Sequence, residues 1–390
     1  MLDGNVQRSG QMIRVSVQLL RVSDGAPLWA ERFDDFFTNV FQVQDSIAEK
    51  VSETLSMKLS ANQHRQMIKR QTGNTEAYEL YMRAKYLEMK RATPTNLQAI
   101  EIYQQAIGKD PEYTLAYAGL ARIYMEIAMV DGSREATRRA DVAAKRALAL
   151  DIDLPEAHLA QGQVLIRGEW DWAGARREFE RALELDPNSA YGHWARSTLL
   201  MALGEKENAL KEMEKARRLD PGSQDMMDDL GWAYDCNRDF ESAIRASKTA
   251  VEMDPLSITA NHQLGKAYLH AKQYAEAKKQ FETVLRSHLS KRGLADLGQL
   301  AAEMGDLSKA RDILKELGQA QQQKPTYEFA YMRAVLQASL GDKDAAFKSL
   351  ELAAAQRLSR VIWMAVDPDM DPLRNDPRFP ALLRRLRLIS

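Results

Sequence analysis

Several things are scarce in this sequence, and each scarcity closes off a class of protein. There is one cysteine, Cys236, in 390 residues. A disulfide framework within the chain is impossible, so a reducing, cytoplasmic compartment is the expectation. An excess of one charge sign is missing: 54 lysines and arginines stand against 55 aspartates and glutamates, a formal net charge of -1. That balance excludes a globally basic nucleic-acid binder and an acidic disordered tail. Long hydrophobic runs are absent as well. The longest, Ser197–Gly204 (STLLMALG), falls far short of the ~20 residues of a membrane span. Met1–Gly10 is too polar for a secretory signal. Neither nucleic acid nor membrane is therefore an expected partner.

Prolines number only 12, yet three of them keep a regular distance. Pro187 in LDPNS, Pro221 in LDPGS and Pro255 in MDPLS follow one another at intervals of 34 residues. Pro111 in KDPEY is an earlier member. Each interval reads alike. A first apolar helix carries Leu-Gly and then Tyr, as in Leu230-Gly231 with Tyr234 and Leu264-Gly265 with Tyr268. A short polar turn follows, and a second helix shows alanines seven apart: Ala175 and Ala182, Ala209 and Ala216, Ala243 and Ala250. Small residues at Gly231 and Ala243 allow close helix approach, while Tyr234, Phe179 and Phe281 fill space between pairs. One such pair cannot bury its own face, so the units must stack. Each proline is expected to sit at an early position of the next helix.

This pattern resembles the tetratricopeptide repeat. The resemblance implies a mainly α fold, a right-handed α-α superhelix of about eight helix pairs over residues 77–354. The units are expected to start near Ala77, Thr114, Pro155, Ala190, Gln224, Ile258, Lys291 and Tyr327. In that family the first helix of each pair lines a concave groove. Carried onto this chain, the groove positions include Tyr78, Tyr81, Lys85, Arg122, Gln163, Tyr191, Trp194, Asp228, Trp232, Asp235, His262, Lys266 and Tyr331. Trp194 and Trp232 either anchor a partner or fill space between neighbouring first helices. With Asp225, Asp228 and Asp235 beside them, a protein or peptide of basic and apolar character suits this surface. A non-catalytic interaction scaffold is the function implied.

The first sixty residues follow another period. Ile13–Val22 alternates with period two, Ser23-Asp24-Gly25 is a turn, and Pro27–Phe33 is a second strand, so a β-hairpin is expected. An amphipathic helix is expected over Phe37–Leu59, with Val40, Val43, Ile47, Val51 and Leu55 on one stripe. The segments DGNVQRSG, IRVSVQLLRVSDGAPLWAERFD and VFQVQDSIAEKV resemble the last part of a TolB-amino-terminal-like α/β domain. Such domains precede tetratricopeptide arrays in bacterial adenylate or guanylate cyclases, winged-helix regulators and kinases. That resemblance implies a regulatory part of a bacterial signalling protein, with the chain starting inside the small domain. A hairpin has unpaired edges. Ile13, Val15, Val17, Leu19 and Trp29 are thus candidates for self-association, and a homodimer is the alternative function. A cyclase fragment without its catalytic domain is a further alternative. Residues 61–76 read as a linker and 355–390 as a helical cap over the last repeat.

No catalytic constellation stands out, and neither cofactor nor metal is expected. Gly265-Lys266 lacks the upstream glycine of a phosphate loop, because position 260 is alanine. Asp367, Asp369 and Asp371 have the opening spacing of a calcium loop, but its glycine and terminal acid positions hold Pro372 and Arg378. Asp371-Pro372 and Asp376-Pro377 read instead as helix starts, with Phe379, Leu382, Leu383 and Leu386 as a buried stripe. His158 and His193 share a repeat position and read as packing residues. His262 and His270 lie eight apart on one helix, too far for a ligand clamp.

Overall fold

The computed structural model describes residues 1–21, 23–37, 40–54, 72–88, 93–131, 133–287, 290–323 and 328–389. The core of the expected linker (61–71), Leu55, Leu59, His64, His288 and Tyr327 lie outside them. The chain divides into two units, residues 1–117 and 118–390.

In the first unit the expected hairpin is a three-stranded antiparallel sheet in the order β1 (Leu2–Ser9), β2 (Met12–Leu20), β3 (Pro27–Phe36). β1 pairs with β2 along its whole length, from Leu2 opposite Leu19 to Ser9 opposite Met12. Gly10, at φ 60°, makes the tight turn between them. All eight β1 residues are exposed, so the strand lacks the apolar alternation by which strands are read. Helix α1 (Val40–Thr54) packs on β2 and β3. Ile13, Val17, Leu19 and Val43 are buried, while Val15 and Trp29 are half-buried. β2 is thus the central strand, and the open edges belong to β1 and β3.

The first helix pair, α2 (Thr75–Glu88) and α3 (Thr93–Lys109), completes this unit. Tyr81 lies in an aromatic cluster with Tyr103 and Tyr113. Tyr103 donates its hydroxyl to buried Glu88 at 2.9 Å.

Seven more pairs follow, with first helices α4 (Thr114–Asp131), α6 (Pro155–Val164), α8 (Ala190–Ala202), α10 (Gln224–Cys236), α12 (Ile258–His270), α14 (Ser290–Glu303) and α16 (Glu328–Ser339). Their partners are α5 (Arg134–Leu150), α7 (Trp172–Leu185), α9 (Lys206–Leu219), α11 (Phe240–Met253), α13 (Tyr274–Leu285), α15 (Leu307–Gln323) and α17 (Lys343–Ala355). The boundary between the two units falls inside α4.

The Leu-Gly positions work as the pattern requires. A Cβ on Gly265 would stand 2.4 Å from the ring of Phe281, and one on Gly162 2.2 Å from Phe179. Both phenylalanines are fully buried, so a methyl group at either glycine displaces a core ring.

The Asp-Pro turns differ from expectation. Proline is not the first helical residue in these repeats. In LDPNS, Asp186 ends α7 and its Oδ1 accepts the Asn188 N–H, while Ser189 caps α8 by accepting the Gly192 N–H at 3.1 Å. Asp254 and Ser257 repeat the arrangement. The aspartate closes one helix, the serine opens the next, and proline fixes the turn between them. Among the described residues, Pro155 alone starts a helix of the array itself.

The C-terminal segment departs furthest from expectation. Two 3₁₀ turns, Ser359–Trp363 and Pro368–Leu373, precede α18 (Arg378–Arg385). Phe379, Leu382, Leu383 and Leu386 are buried, but the segment does more than cover the last repeat. They share one hydrophobic cluster with Leu159, Ile166 and Phe179 of the third pair, Ala195 and Leu199 of α8, and Tyr331 and Val335 of α16. Arg357 donates to the Gly168 carbonyl, and Ser359 to that of Met129. Within the second unit the segment therefore lies across the inner faces of the repeats.

Candidate functional site

The groove side chains of the second unit meet that segment. α12 carries His262, Lys266 and His270 at spacings of four, so one helix face presents all three. Lys266 Nζ donates to Asp369 Oδ2 at 2.9 Å and to Gln299 of α14, and lies 3.3 Å from Asp296. Gln299 Nε2 reaches Asp369 Oδ1 at 2.8 Å. His270 meets Asp235 of α10 at 2.9 Å and Asp369 at 3.1 Å. Tyr331 of α16 donates its hydroxyl to Asp367 at 2.7 Å. Asp367 also caps its own 3₁₀ turn by accepting the Asp369 N–H. Asp371, the expected helix cap, instead bridges Arg238 and Arg374 at the surface. Asp376 does accept the Arg378 N–H ahead of α18.

The two histidines of α12 are held in opposite protonation states. Both ring nitrogens of His270 face carboxylates, so both donate and the ring is an imidazolium. Burial opposes this, but the charge of Asp235 and bonds to Asp235 and Asp369 raise its pKa to about 10. His262 points Nδ1 at Asp296 (2.8 Å), while Nε2 faces Arg360 Nη2 at 3.0 Å. A nitrogen facing a guanidinium must accept. Burial, reinforced by Arg360 and Arg292 against the pull of Asp296, lowers the His262 pKa to about 4. Burial would raise Asp296, yet His262 and Lys266 bring it down to about 2. Lys266 and His270 hold Asp369 well below the usual carboxylate range against the same burial.

This pairing sets a pH dependence of stability. His270 is raised, so its contribution is complete below ~6.5 and is lost as pH climbs toward about 10. His262 is depressed, so its contribution is complete above ~6.5 and is lost as pH falls toward about 4. The unfolding midpoint of the full chain is expected to peak near pH ~6.5. His270→Gln flattens the alkaline limb, and His262→Gln the acid limb. Buried His158 adds to the alkaline limb. Burial lowers its pKa, but its contacts with Glu178 (2.6 Å) and the Ile152 carbonyl (2.7 Å) leave it raised overall. His158 and His193, read as packing residues, are both polar clamps between a second-helix glutamate and the preceding turn. An alkaline limb as steep in His270→Gln as in the parent would rule this account out.

The apolar part of the seat is larger. Val361, Ile362, Met364, Val366, Met370, Leu373, Phe379, Leu382, Leu383, Leu386 and Leu388 are all buried. Burying each such side chain contributes roughly 1.5–3 kcal/mol gross. The segment is part of the core of the second unit.

The expected groove residues therefore divide. Asp235, His262, Lys266 and Tyr331 are engaged by the chain's own C-terminal segment or the network that seats it. Trp232 meets Trp363 of the segment edge-on at 5.3 Å. Asp228 and Gln163 are buried. Tyr191 and Trp194 stack at 5.0 Å and stay half-buried, and Trp194 Nε1 donates to Asp229 at 2.6 Å. Arg122 is half-buried on α4. In the first unit, Tyr78 accepts from Gln44 of α1 at 2.5 Å and meets Phe41 edge-on, so α1 lies against it. Tyr81 is buried, and Lys85 stands over its ring at 5.8 Å.

Sequence reading missed Asp367, Asp369 and Trp363 as groove occupants. Nothing in a local pattern tells a capping aspartate from one aimed at a lysine about a hundred residues away. Among the described residues no group of His, Cys, Asp and Glu could hold a metal ion. None of the described helices is long and apolar enough to cross a membrane. Cys236 is fully buried, and burial pushes its thiol pKa well up.

Comparison with known proteins agrees with this architecture. The family model for the tetratricopeptide repeat matches residues 171–224, 229–287 and 262–325. "Putative adenylate cyclase 3" of Rhizobium meliloti (strain 1021) is 29% identical over 122 residues, 31% of this chain and 21% of that protein. Tetratricopeptide repeat protein 6 of Homo sapiens is 21% identical over 189 residues, 48% of this chain and 35% of that protein. The chain thus spans between about a fifth and about a third of the length of these relatives. Among solved structures, the human IFIT1 dimer with PPP-AAAA superposes with a TM-score of 0.51 at 16% identity, covering 80% of this chain and 78% of that one. The chain carries tetratricopeptide repeats, in a mainly α solenoid with a small N-terminal three-stranded sheet.

Proposed function

We propose that these repeats form a non-catalytic protein-interaction scaffold, and that partners use the inner-face area the C-terminal segment leaves accessible. The Tyr191–Trp194 stack carries this reading. Both rings pack against the core on one side and keep part of their surface accessible, and large aromatics of this kind anchor partners well. Asp225 and Asp229, both half-buried, lie on the next first helix. A partner segment with basic and apolar side chains complements them. The test is binding of a basic, aromatic-rich peptide library, read by fluorescence anisotropy against an acidic library. Tyr191→Ala with Trp194→Ala is expected to weaken the basic set at least tenfold at a temperature where the variant remains folded by far-ultraviolet dichroism. Equal affinity in parent and variant would remove the assignment.

The likeness to the Rhizobium protein, together with residues 1–60, supports a regulatory role within a bacterial signalling protein. A cytoplasmic setting fits the single buried cysteine. Self-association is a second reading, favoured by β1. By register, Leu2 and Val6 share a sheet face with Leu19, Val15 and Ile13, yet are 53% and 68% exposed. α1 packs on the neighbouring strands. If β1 pairs with a second copy, light scattering gives a dimer that Val6→Lys converts to a monomer.

A further inference from the structure

One junction of the second unit collects several kinds of strain. α6 runs into a π-helical turn, Leu165–Glu169, that ends at Trp170 in the left-handed region, φ 59°. The Leu165 carbonyl closes the turn by accepting the N–H groups of Trp170 and Asp171. Facing it, Arg357 is also left-handed, φ 53°. It donates to the Gly168 carbonyl and holds its guanidinium 5.1 Å from the centre of the Trp170 ring. After α8, α14 and α16 the left-handed residue is a glycine, Gly204, Gly305 or Gly341. A Cβ makes that backbone costly, and here two residues that carry one lie against each other.

Polar groups at the junction are also poorly matched. Gln163 Nε2, Arg167 Nη1, Trp172 Nε1 and Gln356 Oε1 are buried without a hydrogen-bond partner among the described residues. π turns and strained backbone gather at switch regions, where surrounding contacts hold them against a competing arrangement. Local conflict of this kind lowers the stability of one region relative to the rest.

The competing arrangement is a continuous α-helix. A π turn carries one residue more than the α-helix it interrupts. Losing it turns every side chain beyond Leu165 by about 100°. The side chain most affected is Arg167. In the π turn its Nε donates to Gln163 Oε1 at 3.1 Å, and its guanidinium lies 5.1 Å from the Trp363 ring. The groups that act on its charge are Tyr191 and Asp229. Asp229 also receives the Trp194 indole N–H. The cation therefore stands beside the aromatic stack and its acid, where it repels a basic partner.

We propose that the π turn is an autoinhibitory switch: while Arg357 latches it, Arg167 masks Asp229 and the Tyr191–Trp194 stack, and release of the latch lets the turn revert to α-helix and carry Arg167 away. Both latch contacts belong to one exposed side chain, so a single group biases the two arrangements. This regulates the site proposed above and rests on that reading for the partner alone.

The test is amide hydrogen exchange of the full chain, read by mass spectrometry, beside anisotropy of the basic peptide library. Arg357→Ala is expected to speed exchange of Leu165–Trp170 at least tenfold while α12 and α13 keep the parent's rates. It also tightens the library severalfold. Arg167→Gln, which removes the cation and leaves the latch, tightens the library without speeding exchange. Arg357→Lys keeps a cation over the ring and falls between Arg357→Ala and the parent; it serves alone if Arg357→Ala does not fold. Equal exchange in parent and Arg357 variants, or exchange that rises equally in α12 and α13, overturns the latch. Library affinity unchanged or weakened in Arg167→Gln overturns the masking role. A parent that binds no library sinks the scaffold reading instead, and the exchange result still decides the latch.

Discussion

A chain ending at Leu358 loses the cooperative unfolding of its repeats. The C-terminal segment looks like a cap in sequence, and caps are often removable. Here removal strips apolar cover from four places at once. Leu159 and Ile166 of the third pair, Leu199 of α8 and Val335 of α16 share their cluster with Phe379, Leu382 and Leu383. The deletion also leaves Lys266, His270 and His262 facing the space vacated by Asp369 and Arg360. Each deleted core side chain removes ~1.5–3 kcal/mol of gross burial, against a net domain stability of ~5–15 kcal/mol. The truncated chain is expected to show helical far-ultraviolet dichroism but weak near-ultraviolet signals, and to bind hydrophobic dyes. Adding a peptide of residues 359–390 should restore part of the near-ultraviolet signal. A truncated chain that unfolds at the parent's denaturant midpoint would show the segment to be dispensable.

The second large effect comes from one atom group within that segment. Asp369→Ala removes the carboxylate shared by Lys266, His270 and Gln299. Breaking a buried pair by deleting one partner typically costs ~3–5 kcal/mol, because the other charge stays buried. Asp296 still stands 3.3 Å from Lys266 and Asp235 still meets His270, which places the expected loss toward the lower end. Asp371→Ala, two residues on, supplies the contrast. That carboxylate is 48% exposed, and surface pairs such as those with Arg238 and Arg374 are worth ~1 kcal/mol or less. Denaturant titration of the two variants should separate them by at least ~2 kcal/mol, the difference between these ranges. A double variant, Asp369→Ala with Lys266→Met, is expected to recover part of the loss, since it removes the stranded ammonium. Similar losses from Asp369→Ala and Asp371→Ala would mean that the network does not secure the segment.

The repeat architecture was legible because its causes are local. First helices begin at Thr114, Pro155, Ala190, Gln224 and Ile258, the positions the period assigned. A Leu-Gly pair, a Ser cap and alanines at sevens act within one or two helices, and 34 residues contain them all. β1 was not legible. Its polar, exposed sequence pairs through backbone bonds that any side chain permits. The turn role of the Asp-Pro prolines was misread because Asp-Pro starts helices in one context and ends them in another.

The candidate site was legible only as a list of positions. Repeat spacing placed Asp235, His262, Lys266 and Tyr331 on one surface. It could not say that this surface already has an occupant, because the bonds joining Lys266 to Asp369 and Arg238 to Asp371 span 103 and 133 residues. Nor could it foresee the π turn Leu165–Glu169, because fixed offsets assume an unbroken α-helix.

Sequence alone therefore determined the fold class, the number and starts of most helix pairs, and the excess of neither charge. Each follows from interactions within a repeat or from composition. Tertiary structure decided which side chains of the second unit's inner face remain for a partner. That outcome depends on where the last thirty residues lie. Their path is set by buried aliphatic surface and compensated charge summed over several repeats, and no single repeat encodes that sum.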